Sequence, residues 1–207
     1  KTDNPADLLE RLSLPPGKEL SPFIRAYFAL CHLKGLFRQG WLRRGIPRER
    51  CESVAEHSFG VAVLALWLAQ VYDLQLNQNK LLRMALLHDC GEIYAGDIIP
   101  GDNVLAKEKY NRELESVHRL FDRLPGGESF VQVWQEFEAG DSPEARLIRQ
   151  LDRLEMGLQA SVYTAQGFEG LEQFFVSARQ ALVDEKLIDL LEAAFTVADS
   201  DKIKTDQ

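Results

Sequence analysis

The residues best suited to chemistry sit in His88-Asp89-Cys90-Gly91-Glu92, near the end of the stretch Leu81 to Asp97. Leu81, Met84, Ala85 and Leu87 are spaced to cover one apolar face of a helix, and His88 and Asp89 follow them side by side. Residues three and four apart on a helix share a face, so the spacing predicts Glu92 beneath both. An imidazole and two carboxylates at an apolar helix end carry a desolvation cost that a divalent cation would remove. His57 and Asp152 stand in two other segments with the same character, each on or beside an inward-facing apolar stripe. Taken singly, each reads as a hydrogen-bonded core histidine or an aspartate at a helix border. Together they read as a metal site. Two imidazoles and two carboxylates suit Mn²⁺, Co²⁺, Fe²⁺, Ni²⁺ or Zn²⁺, and four protein ligands leave octahedral positions open for water or substrate.

Several segments must hold these groups in place. Ser53-Val54-Ala55-Glu56 matches the capping-box pattern and predicts a helix to about Tyr72, with His57 on the face of Val54, Val61 and Leu64. Ser142-Pro143 opens another helix to about Thr164, with Leu147, Ile148, Leu151, Leu154 and Leu158 inward and Asp152 on the border of the stripe. Ser21-Pro22 starts a helix whose stripe includes Phe23, Tyr27, Leu30 and Leu33. Gly35 and Gly40 then mark a turn around Arg38, and residues 42–52, with Arg43, Arg44, Arg48 and Arg50, read as a loop. A charged helix is expected over about Leu105 to Leu124, ended by Pro125-Gly126-Gly127. A shorter helix follows over Phe130 to Glu138, then two amphipathic ones over about Gly170 to Ala181 and Asp184 to Ala198.

There is no strand alternation, repeat or glycine-rich phosphate loop. The expected fold is therefore all-α, a single helical bundle over residues 20–198 with the metal site in its core. Residues 1–19, rich in proline around a short helix near Asp7 to Leu12, form a partly flexible extension, and the polar residues 199–207 form a disordered tail.

Composition sets the outer bounds. The chain has 207 residues and a net charge of −8. That balance lacks the basic face a nucleic-acid partner needs, although local arginines can still serve an anionic small molecule. The three cysteines have no metal-type spacing, their number is odd, and no leader segment stands out, which points to a reducing cytoplasm. The apolar run from Val61 to Val71 is too short for a membrane span and reads as a core helix. Phe174, Phe175, Leu187, Leu190, Leu191 and Phe195 carry more apolar surface than a peripheral cap needs, which predicts a homodimer.

The motifs resemble those of the HD-domain phosphohydrolases, whose signature is H…HD…D on a helical bundle. Glu52 to Ser58 is similar to the first-histidine motif of the HD-domain 5′-deoxynucleotidases. His88 to Glu92, followed by Gly96 to Asn103, resembles their second motif, and Lys109 to Glu115 with Gln150 to Met156 extends the likeness to roughly residues 20–165. The resemblance implies one divalent ion (Mn, Co, Fe, Ni, Zn or Mg) held by His57, His88, Asp89 and Asp152. It implies that Glu92 engages the attacking water, that Asp97 lies near the sugar and leaving group, and that Arg38 and Trp41 bind substrate. Here the sequence departs from the family, because Trp41 stands three residues beyond Arg38 rather than close behind it.

The implied activity is hydrolysis of deoxyribonucleoside 5′-monophosphates to nucleoside and phosphate. Other HD-domain activities, on cyclic nucleotides, dNTPs or an alarmone, and a non-catalytic nucleotide-binding module, stay open. The residues suit phosphate chemistry. A metal lowers the pKa of bound water, a carboxylate aligns that water, and an arginine forks onto phosphate oxygens.

Overall fold

A computed structural model describes the backbone of residues 19–205 and the side chains of residues 19–196. The expected extension, including the short helix near Asp7 to Leu12, falls almost wholly outside the described residues. The described chain forms α1 (Pro22–Leu30), α2 (Gln39–Leu42), α3 (Val54–Val71), α4 (Gln78–Leu87) and α5 (Glu92–Ala95). After these come α6 (Ala106–Phe121), α7 (Glu128–Ala139), α8 (Pro143–Ala165), α9 (Glu172–Ala181) and α10 (Glu185–Thr205), with 3-10 turns at Cys31–Lys34 and Pro100–Asp102. Among the described residues no strand forms, and the fold is all-α as expected. A single antiparallel bridge joins Phe37 to Ser53.

Local chemistry explains where the long helices start. Ser53 Oγ accepts the Glu56 N–H while the Glu56 carboxylate accepts the Ser53 N–H, closing the capping box at the head of α3. Ser142 caps α8 by accepting the Ala145 N–H, with Pro143 in the first helical position where no donor is lost. Asn77 caps α4 through the Lys80 N–H.

Tertiary burial then selects the faces. One core cluster joins Val61, Ala65 and Leu68 of α3, Leu81 and Met84 of α4, and Ile148, Leu151 and Leu154 of α8, with Leu187 and Leu191 of α10. A second gathers Ala29 of α1, Val117 and Leu120 of α6, Trp134 of α7, and Cys90 and Ile93. Each fully buried leucine or isoleucine here contributes on the order of 1.5–3 kcal/mol. The segment from Met84 to Ile93 belongs to both clusters, so the residues between them are pinned at the seam.

α3 is 18 residues long and apolar enough for a membrane span by length and composition. Its inward face, including His57, Ser58, Val61 and Ala65, is nevertheless buried within this chain, which makes it a core helix. Phe59, Leu66, Trp67 and Val71 share its outer face and are exposed.

Two expectations need correction. Leu81 to Asp97 is not a continuous helix. α4 ends at Leu87, His88 to Gly91 form a tight turn, and α5 restarts at Glu92. The turn is closed by bonds three residues apart: Cys90 N–H to Leu87 O, Glu92 N–H to Asp89 O and Ile93 N–H to Cys90 O. Second, the boundary at residue 198 falls inside α10, which is helical to Thr205 because residues 199–205 contain no glycine or proline, and only Asp206 and Gln207 of the expected tail lie outside the described residues. Part of the apolar surface of α9 and α10 is used internally: Leu187 and Leu191 are buried, and the Phe175 and Phe195 rings pack with centroids 4.2 Å apart, while Leu190 stays exposed.

Candidate active site

Three helical regions bring His57, His88 and Asp89 close enough to share an ion, with Asp152 Oδ1 adjoining His57. His57 comes from the first turn of α3, His88 and Asp89 from the turn after α4, and Asp152 from the middle of α8. His57 Nε2 lies 3.4 Å from His88 Nε2, 3.7 Å from Asp89 Oδ2 and 3.1 Å from Asp152 Oδ1, and His88 Nε2 lies 3.3 Å from Asp89 Oδ2.

Each imidazole is aimed by a bond at its other nitrogen. His88 Nδ1–H donates to Ala85 O at 2.7 Å, and His57 Nδ1 lies 2.6 Å from Glu155 Oε2. Such bonds set the tautomer and leave both Nε2 lone pairs facing the cluster. Glu155 follows Asp152 by three residues, so α8 presents both carboxylates to His57 on one face. Gly60, in the middle of α3, makes the room. A Cβ there would stand 2.8 Å from Glu155 Oε1.

Electrostatics favour positive charge at the cluster. Burial opposes protonation of His57, as does Arg38, yet the bonds to Asp152 and Glu155 outweigh them and raise its pKa to about 10. His88 is raised too, with Asp89 overcoming burial. Burial works against the Asp89 and Asp152 carboxylates, but the two imidazoles, with Arg38 at Asp89 and Arg153 at Asp152, hold both well below the usual carboxylate range. The cluster thus binds protons where a divalent cation would satisfy the same lone pairs. The donor set, its aiming bonds and its electrostatics all fit a metal ion.

A second carboxylate group adjoins His57, with Glu52, His57 and Glu155 close enough to share an ion. It is better described as a hydrogen-bond network. Trp41 Nε1–H donates to Glu52 Oε1 at 2.7 Å, and His57 Nδ1 is engaged by Glu155. Burial and the neighbouring Glu155 push Glu52 up to about 7.

The remaining expected residues surround a cavity of about 720 Å³ that opens beside the cluster and is lined by Arg38, Trp41, Asp89, Glu92, Asp97 and Asp152, among others. Glu92 starts α5. Its carboxylate is buried, and Oε2 has no hydrogen-bond partner. Burial and the nearby Asp89 and Asp97 push its pKa well above the usual carboxylate range. An orphaned buried carboxylate oxygen is costly unless something binds it in use.

Asp97 is buried and accepts the Gln39 N–H at 2.5 Å, which ties the start of α2 to the loop after α5. Arg38 Nη1 lies 3.4 Å from Asp89 Oδ2, and four surrounding carboxylates keep its guanidinium charged despite burial. The bridge from Phe37 to Ser53, with the Arg38 N–H donating to Glu52 O, places Arg38 beside the first histidine motif. Trp41 lines the cavity but is wedged between Tyr163 and Phe174, with ring centroids 5.3 and 4.0 Å away, so it forms a buried wall rather than an open stacking surface.

The residues expected from the sequence, His57, His88, Asp89, Glu92, Asp97, Asp152, Arg38 and Trp41, lie in the cluster or line the adjoining cavity. Sequence reasoning missed the supporting groups Glu155, Glu52 and Gly60. Only Glu155 left a signal, its three-residue spacing from Asp152.

Comparison with known proteins identifies the family. Residues 30–190 match the HD domain family model. The 5′-deoxynucleotidase HDDC2 of Danio rerio is 35% identical over 165 residues, covering 78% of this chain and 80% of its own length. The 5′-deoxynucleotidase YGK1 of Saccharomyces cerevisiae is 31% identical over 161 residues, with 74% and 73% covered. Among solved structures, the PH0347 protein of Pyrococcus horikoshii OT3 superposes with a TM-score of 0.69 at 31% identity, over 84% of this chain and 98% of that one. A protein of Magnetospirillum magnetotacticum MS-1, described as a predicted metal-dependent phosphohydrolase, gives 0.67 at 26% identity, with 92% and 98% covered. With its histidine, His-Asp and aspartate motifs brought side by side and a family match across most of its length, the chain belongs to the HD domain family.

Proposed function

We propose that this protein is a metal-dependent phosphomonoesterase that hydrolyses deoxyribonucleoside 5′-monophosphates. The observation that carries the reading is the grouping of His57, His88 and Asp89, with Asp152 adjoining, beside a buried, unpartnered Glu92 oxygen, at the edge of a cavity flanked by Arg38. The relatives named 5′-deoxynucleotidase support the substrate class.

His57, His88, Asp89 and Asp152 would hold one divalent ion. When bound, that ion lowers the pKa of water and offsets phosphate charge. Glu92 accepts a hydrogen bond from the attacking water and takes its proton as oxygen bonds to phosphorus. The bond from phosphorus to the 5′ oxygen breaks, and the proton ends on the nucleoside hydroxyl. Arg38 holds phosphate oxygens through its planar fork. Asp97, fixed by the Gln39 N–H, positions the sugar and leaving group, while Trp41 shapes the wall behind them.

The same reading places the enzyme in the cytoplasm as a homodimer. The exposed outer face of α3, with Phe59, Leu66, Trp67 and Val71, supports the contact better than α9 and α10 do.

A panel of phosphate esters assayed with Mn²⁺ or Co²⁺ tests the proposal. Phosphate released from dNMPs, but not from cyclic nucleotides or triphosphates, is the expected result. Release mainly from the other classes moves the protein to another branch of the family. Binding without release makes it a regulatory module.

A further inference from the structure

Resting on the phosphomonoesterase reading above, we propose that Lys109 is a further catalytic residue, holding the substrate's phosphate from the side opposite α2. A second cavity, of about 510 Å³ and lined by Tyr110, Glu113, Glu138 and Arg149 among others, meets the first at Asp89, Glu92, Ala106, Lys109, Asp152 and Arg153. Lys109 thus borders both spaces at the point where they reach the donor cluster. Arg38 borders only the first.

The backbone holds this placement firmly. Gly91 lies between Asp89 and Glu92, and a Cβ there would stand 2.6 Å from Glu113 Cβ and 3.2 Å from Glu113 Cα. α6 is therefore pressed against the turn that carries the metal-binding and water-binding groups. Lys109 lies one helical turn before Glu113, and its Nζ lies 3.5 Å from Glu113 Oε1. That is long for a hydrogen bond and leaves the ammonium free to take a better acceptor. Burial works against its charge, but Glu113, Glu92, Asp89 and Asp97 outweigh it and keep it protonated.

Charge balance calls for such a cation. With Glu92 ionised to accept the proton of water, Asp89, Glu92, Asp97 and Asp152 exceed Arg38 and a divalent ion by one negative charge. A phosphate monoester dianion then adds two negative charges that no group so far assigned offsets. Arg153 also borders both cavities and is exposed to a similar degree, but its Nε faces Asp152 Oδ2 at 3.7 Å, whereas Lys109 feels Glu92, Asp89 and Asp97 together.

The test uses the metal-loaded protein with Lys109→Met, Lys109→Arg and Arg153→Ala. Lys109→Met should lower kcat/KM for a dNMP about a hundredfold and weaken binding of inorganic phosphate, measured by calorimetry, about tenfold, the scale of a lost charged hydrogen bond. Metal content and Tm should hold, Lys109→Arg should recover most of the loss, and Arg153→Ala should change both constants by less than about threefold. Lys109→Gln removes the same charge if the methionine variant fails to fold. The proposal is overturned if Lys109→Met keeps its phosphate affinity and kcat/KM within about twofold, if it loses the metal, or if arginine gives no recovery. The phosphate titration reads Lys109 even if no dNMP is turned over, so its failure is distinguishable from failure of the substrate assignment.

Discussion

The donor cluster and the wall facing it are held in different ways. His57, His88, Asp89 and Asp152 come from the cores of two long helices and a tight turn, and both imidazoles are clamped at the nitrogen away from the site. Across the cavity, Arg38 and Trp41 flank or occupy the four-residue α2, tied to α3 by one bridge. Beyond them, Arg43 and Arg44 reach exposed partners, Asp102 and Gln173. The first side is rigid before anything binds, which suits groups that must meet a metal within narrow tolerances. The second is carried by a short helix and loops, anchored by the buried Trp41 ring but exposed at its arginine rim, where side chains reorient at lower cost.

The widest separation between the sides should come from comparing a ligand with the residue beside it. Asp152→Ala is expected to lose metal and activity together. Glu92→Gln should retain metal by elemental analysis and lose about two to four orders of magnitude in turnover. A Glu92 variant that arrives without metal would move Glu92 into the ligand set and merge the two roles.

The next effect probes the clamps. Glu155→Gln weakens the bond to His57 Nδ1, and Gly60→Ala pushes the same carboxylate aside. Metal affinity by competition with a chelator should fall about 10- to 100-fold in either variant, with KM at saturating metal little changed. Unchanged affinity in both would mean that the cluster does not depend on its outer bonds.

On the adaptable side, Arg38→Lys keeps the charge and loses the planar fork. A fall of about tenfold in kcat/KM, with metal content and Tm unaltered, is expected, corresponding to about 1.4 kcal/mol. If the metal were lost as well, the pair between Arg38 and Asp89 would belong to the rigid side and the division drawn here would fail.

The smallest effect is on stability. In metal-free protein the His57 pKa is raised from 6.5 to about 10. The stabilisation this represents is fully present below about pH 6.5 and is lost as pH climbs through about 10. Metal-free Tm should therefore decline over that range, and the rise in Tm on adding Mn²⁺ or Co²⁺ should grow with pH. A metal increment that shrinks with pH would contradict the idea that protons and metal compete for the same lone pairs.

How much of this was legible in sequence depends on the range of the interaction. Capping boxes and apolar stripes act within one or two turns, so the starts of α3 and α8 and the inward placement of His57 and Asp152 could be read from residues four or five apart. The pattern of His88, Asp89 and Glu92 was legible too, but not the break between α4 and α5. Periodicity alone does not report bonds that tighten a turn, nor a neighbouring helix pressing on Gly91. The surplus apolar faces of α9 and α10 looked like an interface because a sequence shows which residues are apolar and not what covers them. Leu187 and Leu191 proved to be covered by this chain itself.

The sequence by itself determined the long helices and their buried faces and singled out His57, His88, Asp89 and Asp152 as donor candidates, since these follow from local periodicity, residue chemistry and motif. Only the tertiary structure decided that His57 meets Glu155 across 98 positions and Asp152 across 95, and that Glu113, one turn after Lys109, packs against Gly91. Contacts of that span depend on which helix faces pack together, and packing is a property of the whole core rather than of any segment.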